Sequence, residues 1–345
     1  MNSKKYPLNH LIIYLLSRCN LKCLFCSGRD DRQKTMEKKR VIKIIDELKN
    51  YQIEYIVFTG GEITLYKDLL EIVDYTKKRL GCQIILNTNG VNLNSGIITR
   101  LTENGSISLK ISLHSFDGDI YDRVTGVPGS YGKLLNNIKK INKINQKNNG
   151  ELKIKTNTVI FNRNYKNIDK LIDFGYKNNI KDMQFSLANM RDNYKSDDYF
   201  DSLNKKQLRE LYFEIYPRLL KKAISKKIRV EFRPMFVDLV GLSDHELINR
   251  LRPFKKFNQE LDNYSKELFG KKFYRKYKCH QAFSGIAIMP EGDVLFCCSN
   301  FNNKIGNIFN DSLGKVLLFK KSVQPKGCDK CRLFFSANKE FHKRI

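Results

Sequence analysis

Leu11-Ile12-Ile13-Tyr14-Leu15-Leu16 runs, two residues later, into Cys19-Asn20-Leu21-Lys22-Cys23-Leu24-Phe25-Cys26. The apolar run reads as a buried strand. The cysteines after it are spaced C-x3-C-x2-C, with no fourth cysteine nearby. Thiolates are the usual ligands of a cubane iron–sulfur cluster. Three local thiolates leave one iron uncapped and open to a substrate, whereas a four-cysteine electron carrier has no such vacancy. A zinc knuckle is the alternative. Zinc takes a closed tetrahedral set, and neither His10 nor any other local residue completes one at ordinary spacing.

Working outward, apolar β-branched runs alternate with amphipathic Lys/Glu/Leu/Ile segments, the pattern of repeated βα units around a parallel sheet. Strands are predicted near 10–16, 53–58, 82–87, 107–113, 152–160 and 180–187, and helices near 36–50, 66–79, 95–104, 131–147, 165–178 and 204–226. Consecutive strand-then-helix units suit an open, partial (β/α) barrel, whose sites lie on loops at the C-terminal strand ends. The cysteine triplet stands at such an end.

With an aromatic residue, Phe25, before the last cysteine, the triplet resembles the signature of the radical S-adenosylmethionine (radical SAM) superfamily. That resemblance implies a partial (β/α)6 barrel in which Cys19, Cys23 and Cys26 hold a [4Fe-4S] cluster and SAM binds the remaining iron. The second strand ends in Phe58-Thr59-Gly60-Gly61-Glu62, similar to the family motif whose backbone and acid hold the methionine amino group of SAM. The family often has proline after the glutamate, where this chain has Ile63. Asn87-Thr88-Asn89-Gly90 is similar to the turn beside SAM, which points to Asn89. Ile111-Ser112-Leu113-His114-Ser115 precedes Asp122-Arg123-Val124-Thr125-Gly126-Val127-Pro128-Gly129-Ser130-Tyr131, similar to the opening of the fourth helix in the branch with an extra C-terminal cluster. By that resemblance Ser112 and Arg123 hold the ribose and carboxylate of SAM, and a guanidinium fork suits a carboxylate. Arg123 as a surface ion pair, and His114 as hydrogen-bonded scaffold, are the plainer readings.

From about Lys227 the βα rhythm stops, so residues 1–226 are expected to form the barrel and 227–345 a small cysteine-rich domain. Cys279 is followed by twelve residues, Gly292, four residues and Cys297, and later by Cys328-Asp329-Lys330-Cys331. A hairpin-like turn, Pro290-Glu291-Gly292-Asp293-Val294, and Ile305-Gly306-Asn307-Ile308 lie between. This resembles the SPASM/twitch extension, in the shorter twitch form because no cysteine follows Cys331. It implies one auxiliary [4Fe-4S] cluster on Cys279, Cys297, Cys328 and Cys331. A zinc ribbon would use the same cysteines. Cys298, left over, is either a small buried hydrophobe or a hydrogen-atom donor at the barrel mouth.

Composition sets limits. A chain of 345 residues with 41% hydrophobic content can bury one large domain and a small one. No apolar run approaches a membrane span, no secretory signal is evident, and nine cysteines suit a reducing compartment, so a cytoplasmic protein is expected. The net charge of +27 invites a nucleic-acid partner, and Lys271–Lys278 interleaves basic and aromatic residues. Lysines outnumber arginines 45 to 18 and are scattered over every predicted helix, the mark of a compositional bias; no nucleic-acid partner is expected.

The resemblance implies a 5′-deoxyadenosyl radical that abstracts hydrogen from a substrate, with electrons from a flavodoxin or ferredoxin. Oxidation, epimerisation and bond formation all suit an auxiliary cluster. A small carbohydrate-like molecule is the first substrate expectation. A ribosomally made peptide is the second, disfavoured because the first strand begins near residue 10 and leaves no room for a leader-binding domain. RNA modification and a non-catalytic electron-transfer role come after these.

Overall fold

In β3 (Gln83–Thr88) burial alternates residue by residue, with Ile84, Leu86 and Thr88 buried and Gln83, Ile85 and Asn87 partly open. A period of two sends alternate side chains to opposite faces. Here one face packs under helices and the other lines a lumen. The same alternation runs through β5 (Lys153–Ile160) and most of β6 (Asp182–Leu187). Helices cover the outer face through apolar stripes: α1 (Lys38–Leu48) buries Val41, Ile44, Ile45 and Leu48 at helical spacing.

The computed structural model describes residues 8–26, 33–103, 105, 107–148, 152–188, 202–233, 284–296 and 303–322. The chain continues through β1 (His10–Leu16), β2 (Tyr55–Gly60), α2 (Leu69–Leu80), α3 (Ser95–Thr102) and β4 (Ile107–Ser112). Then come α4 (Gly118–Thr125), α5 (Ser130–Lys147), α6 (Lys170–Lys177), α7 (Lys205–Glu210), α8 (Tyr216–Ser225) and β7 (Arg229–Arg233). The last described elements are β8 (Gly285–Ile288), β9 (Asp293–Leu295), β10 (Lys304–Asn307) and α9 (Leu313–Ser322). One mixed sheet runs in the order β10-β9-β8-β1-β2-β3-β4-β5-β6-β7, parallel from β8 to β7. This is the parallel α/β sheet of a partial barrel. The six predicted strands are β1 to β6, each within two residues of its predicted ends.

Three differences from the sequence reading have local causes. β7 begins beyond the expected division at 226/227 and pairs with β6 from Asp182↔Arg229 to Ser186↔Arg233, so the division falls inside the barrel sheet. Its alternating charges, Arg229, Glu231 and Arg233, hide it from an apolar pattern search. β8 pairs in parallel with β1, from His10↔Gly285 to Ile13↔Ile288, so these described C-terminal strands extend the same sheet. The helix expected over 204–226 is interrupted by a π turn at Leu211–Ile215, just before Pro217, which has no N–H to give to a regular turn.

The predicted hairpin turn joins β8 to β9, with Gly292 at φ 86°. Asn307 braces it, donating from Nδ2 to Asp293 Oδ1 at 2.7 Å and to Glu291 O at 3.0 Å. Glu47 on α1 accepts the Leu313 N–H at the start of α9 at 2.7 Å. Cys82 is core, as expected, and burial pushes its thiol up to about 11.

Candidate active site

The cysteine loop leaves β1 at Leu16 and crosses the C-terminal ends of the strands. Two neighbours hold its backbone. Lys22 N and Leu24 N donate to Thr125 O and Val124 O at the end of α4, at 2.8 and 2.9 Å. On the other side Gly61 N donates to Leu16 O at 2.8 Å and Glu62 N to Arg18 O at 2.9 Å. The Gly60-Gly61 pair makes that contact possible. Gly60 sits at φ 151°, and a Cβ there would lie 2.3 Å from Leu16 O; a Cβ on Gly61 would lie 2.1 Å from Arg18 O. The glycines therefore press against the loop's backbone, a role that the sequence reading had given only to ligand approach.

Glu62 differs from expectation. It is fully buried, and its carboxylate turns inward. Oε1 accepts from Thr88 Oγ1 at 2.6 Å, Thr64 Oγ1 at 2.8 Å and Thr64 N at 3.1 Å, and Oε2 accepts from Asn89 N at 2.7 Å. Burial raises its pKa, and these donors pull the other way. The acid thus ties the ends of β2 and β3 together beneath the site and does not line the cavity. Asn89, fixed by that bond, donates from Nδ2 to Asn20 Oδ1 at 2.7 Å and steadies the loop beside Cys19, whose Sγ is 3.8 Å away.

The cavity over these elements measures about 240 Å³. Cys19, Cys23, Cys26, Phe25, Gly60, Gly61, Asn89 and Ser112 all line it, so the structure brings eight expected site residues to one place. Arg123 is not among them. Its side chain is exposed on α4, where Asp122 beside it caps α5, accepting from Ser130 Oγ at 2.8 Å and Tyr131 N at 2.7 Å. The stretch expected to open one helix thus spans two, with the Gly126–Gly129 turn between them.

Cys19, Cys23 and Cys26 form no disulfide. Burial pushes the Cys19 thiol up, opposed by the hydrogen bond that Leu21 N donates to its sulfur at 3.4 Å. Among the described residues no three His, Cys, Asp or Glu side chains converge tightly enough to hold a single metal ion. All three line one cavity, and thiolates are the usual ligands of an iron–sulfur cluster.

Sequence reasoning missed Thr59, Lys110, Tyr121 and Asn157, and gave no role to Asn87; all line the cavity. A partial signal was Lys110, a charged residue within the mostly apolar β4; Asn157 stands among other polar residues of β5 and gave none. His114, left open earlier, is 3% exposed and forms part of the wall. Its Nδ1 accepts from Val159 N at 3.3 Å, and Phe25 meets its ring edge-on at 4.7 Å. Burial lowers its pKa to about 3 from an ordinary 6.5. The folded protein therefore keeps His114 neutral, while the unfolded chain takes up a proton as pH falls below 6.5. The resulting stability is complete above pH 6.5 and is lost as pH drops toward 3, by at most about 5 kcal/mol. His114→Asn, which keeps an acceptor near Nδ1, should flatten the fall of Tm between pH 6.5 and pH 4. An unchanged acid slope would refute this assignment.

Residues 13–175 match the model of the Radical SAM superfamily. The match spans just under half of the chain, and over that stretch the chain is similar to a radical SAM domain. The matched stretch runs from within β1 into α6 and includes every cavity-lining residue. The family's SAM and [4Fe-4S] cluster are the groups that its thiol loop fits. A protein named probable GTP 3′,8-cyclase, from Saccharolobus islandicus, is 27% identical over 256 residues, 72% of this chain and 75% of its own. The crystal structure of Streptococcus suis SuiB matches with a TM-score of 0.68 at 22% identity, covering 96% of this chain and 72% of that one. A structure of anSMEcpe with bound AdoMet matches with a TM-score of 0.62 at 18% identity, covering 96% of this chain and 85% of that one. At such identities the structural likeness is one of fold. Among the described residues no helix is long and apolar enough to cross a membrane. Cys279, Cys297, Cys298, Cys328, Cys331 and the Lys271–Lys278 patch lie outside the described residues.

Proposed function

We propose that the chain is a radical SAM enzyme that abstracts hydrogen from a small polar molecule. One observation carries this reading: Cys19, Cys23 and Cys26 line the same cavity as Gly60, Gly61, Asn89 and Ser112, within a stretch that matches the family model. When bound and reduced, the cluster and SAM supply a 5′-deoxyadenosyl radical, the reagent for breaking an unactivated C–H bond. The chain's own residues do the rest. The three thiols hold iron, and Asn89 keeps the loop in place through Asn20. Ser112 presents a hydroxyl to the cavity for a polar group of SAM. Phe25, neutral His114 and Tyr121 make an aromatic wall that keeps water from the reacting centre.

In this reading Cys279, Cys297, Cys328 and Cys331 hold an auxiliary [4Fe-4S] cluster, and a flavodoxin or ferredoxin in the cytoplasm supplies electrons. Cys298 as hydrogen donor would make the reaction an epimerisation. The polar cavity lining, and a relative named for GTP chemistry over three-quarters of its length, favour a small molecule. A peptide substrate is the second reading, favoured by the match to SuiB, also solved bound to the precursor peptide SuiA.

Anaerobically reconstituted protein should carry about eight irons and as many sulfides per chain, the sum of two [4Fe-4S] clusters. Replacing Cys19, Cys23 and Cys26 together with alanine should leave about four. Stoichiometric zinc without sulfide would overturn the proposal.

A further inference from the structure

The chain leaves β1 into the thiol loop and returns beside its own starting point. Ser17 N donates to Lys34 O at 2.8 Å, Met36 N donates to Leu15 O at 2.8 Å, and Leu16 bridges Thr35 in antiparallel register. Residues 34–36 are therefore a returning leg that fixes the loop where it leaves the strand.

That leg carries one contact from far along the chain. Lys34 Nζ lies 2.6 Å from Oε1 of Glu291, 257 residues away in the turn between β8 and β9. The turn is held in its own right: Asn307 Nδ2 donates to Glu291 O, and a Cβ on Gly292 would lie 2.6 Å from the Phe309 ring. Arg40 of α1, the helix after the returning leg, lies over that same ring with its Cζ 4.6 Å from the centroid. The hairpin region thus meets both the leg and the helix, and Glu291 is its charged contact with the leg.

Stability alone gives little reason for the pair. The two side chains are 23% and 33% exposed, and pairs with access to water contribute little. Glu291 Oε2 is buried and has no hydrogen-bond partner among the described residues, which costs stability. An ion pair of this kind, joining distant segments at the base of the thiol loop, points to placement of that loop. We propose that Glu291 is a positioning residue: through Lys34 it holds the returning leg, and with it the backbone that carries Cys19, Cys23 and Cys26. The described C-terminal hairpin then helps to set the geometry of the N-terminal thiols. This rests on the function proposed above, and Glu291 acts through Lys34 without touching SAM or iron.

The test uses the full chain, anaerobically reconstituted, and follows iron release to a chelator, Tm, and 5′-deoxyadenosine formation from SAM. Release from the Cys19→Ala/Cys23→Ala/Cys26→Ala protein is subtracted, which leaves the iron of the thiol loop. Glu291→Met removes both oxygens at similar length and should release that iron about tenfold faster, the scale for groups that support metal ligands. Its 5′-deoxyadenosine formation should slow, while Tm stays within about 3 °C of wild type. Glu291→Gln keeps an acceptor for Lys34 and should fall between. Lys34→Met should match Glu291→Met, and the double variant should be no faster than either, because the two residues act as a unit. Wild-type release rates in Glu291→Met would show that the pair does not place the loop, and a lowered Tm beside them would assign it to the fold. A double variant whose effect is the product of the single effects would show that the residues act separately. Each of these results overturns the inference while the proposed function stands. A wild-type protein that takes up no iron and sulfide would instead overturn the proposed function itself.

Discussion

Glu62→Ala should lower the stability of the protein by about 3–6 kcal/mol, among the largest effects expected of any single substitution outside the thiol loop. The carboxylate is fully buried and accepts four hydrogen bonds, two of them from the backbone N–H groups of Thr64 and Asn89. The threonine hydroxyls can rotate to other acceptors, but the two N–H groups are fixed by the chain. Each buried donor left unpaired costs about 1–3 kcal/mol, and the vacated space adds to that. Total stability of a protein domain is only about 5–15 kcal/mol, so the variant would stand near the limit of folding. Glu62→Gln keeps the shape and one acceptor oxygen and should fall between. Denaturant midpoints of the three proteins check the order, and a Glu62→Ala protein as stable as wild type would show that the network is not what joins β2 to β3.

Gly61→Ala should strip the N-terminal cluster and leave the barrel folded. The added methyl carbon would sit 2.1 Å from Arg18 O, a backbone atom that cannot swing aside as a side chain can. Relief requires moving the loop, and the loop carries Cys19, Cys23 and Cys26. A [4Fe-4S] cluster needs its thiolates within a few tenths of an ångström of fixed positions, so a displaced loop loses iron before the core loses packing. Iron bound per chain after anaerobic reconstitution should drop by about four, with a far-ultraviolet circular dichroism spectrum like that of wild type. Full iron content in this variant would mean that the loop is looser than its hydrogen bonds to Gly61 and Glu62 imply.

β1 to β4 were legible as largely apolar runs with turn residues at their ends, and β5 and β6 as alternating apolar and polar residues. β7 was not, since Arg229, Glu231 and Arg233 alternate along it and an apolar pattern search passes over them. β8 is only four residues long, and its parallel pairing with β1 joins positions some 275 residues apart, a contact that no local pattern announces. The thiol loop and the rim glycines were legible as motifs. Which way Glu62 turns was not, because the choice depends on Thr88 and Asn89 arriving from the next strand. Arg123 was misplaced for a related reason. The motif around it also caps α5 through Asp122, and helix geometry puts the neighbouring guanidinium on the exposed face. Asn87, Lys110 and Asn157 required knowing which strand face looks into the lumen, and only the sheet register supplies that.

The most direct test of radical SAM chemistry at this loop is the formation of 5′-deoxyadenosine and methionine from SAM under strong reduction, without added substrate. Reconstituted wild-type protein should form both products, and the Cys19→Ala/Cys23→Ala/Cys26→Ala protein should form neither. Wild-type protein with its iron and sulfide in place that leaves SAM intact under these conditions would contradict the account.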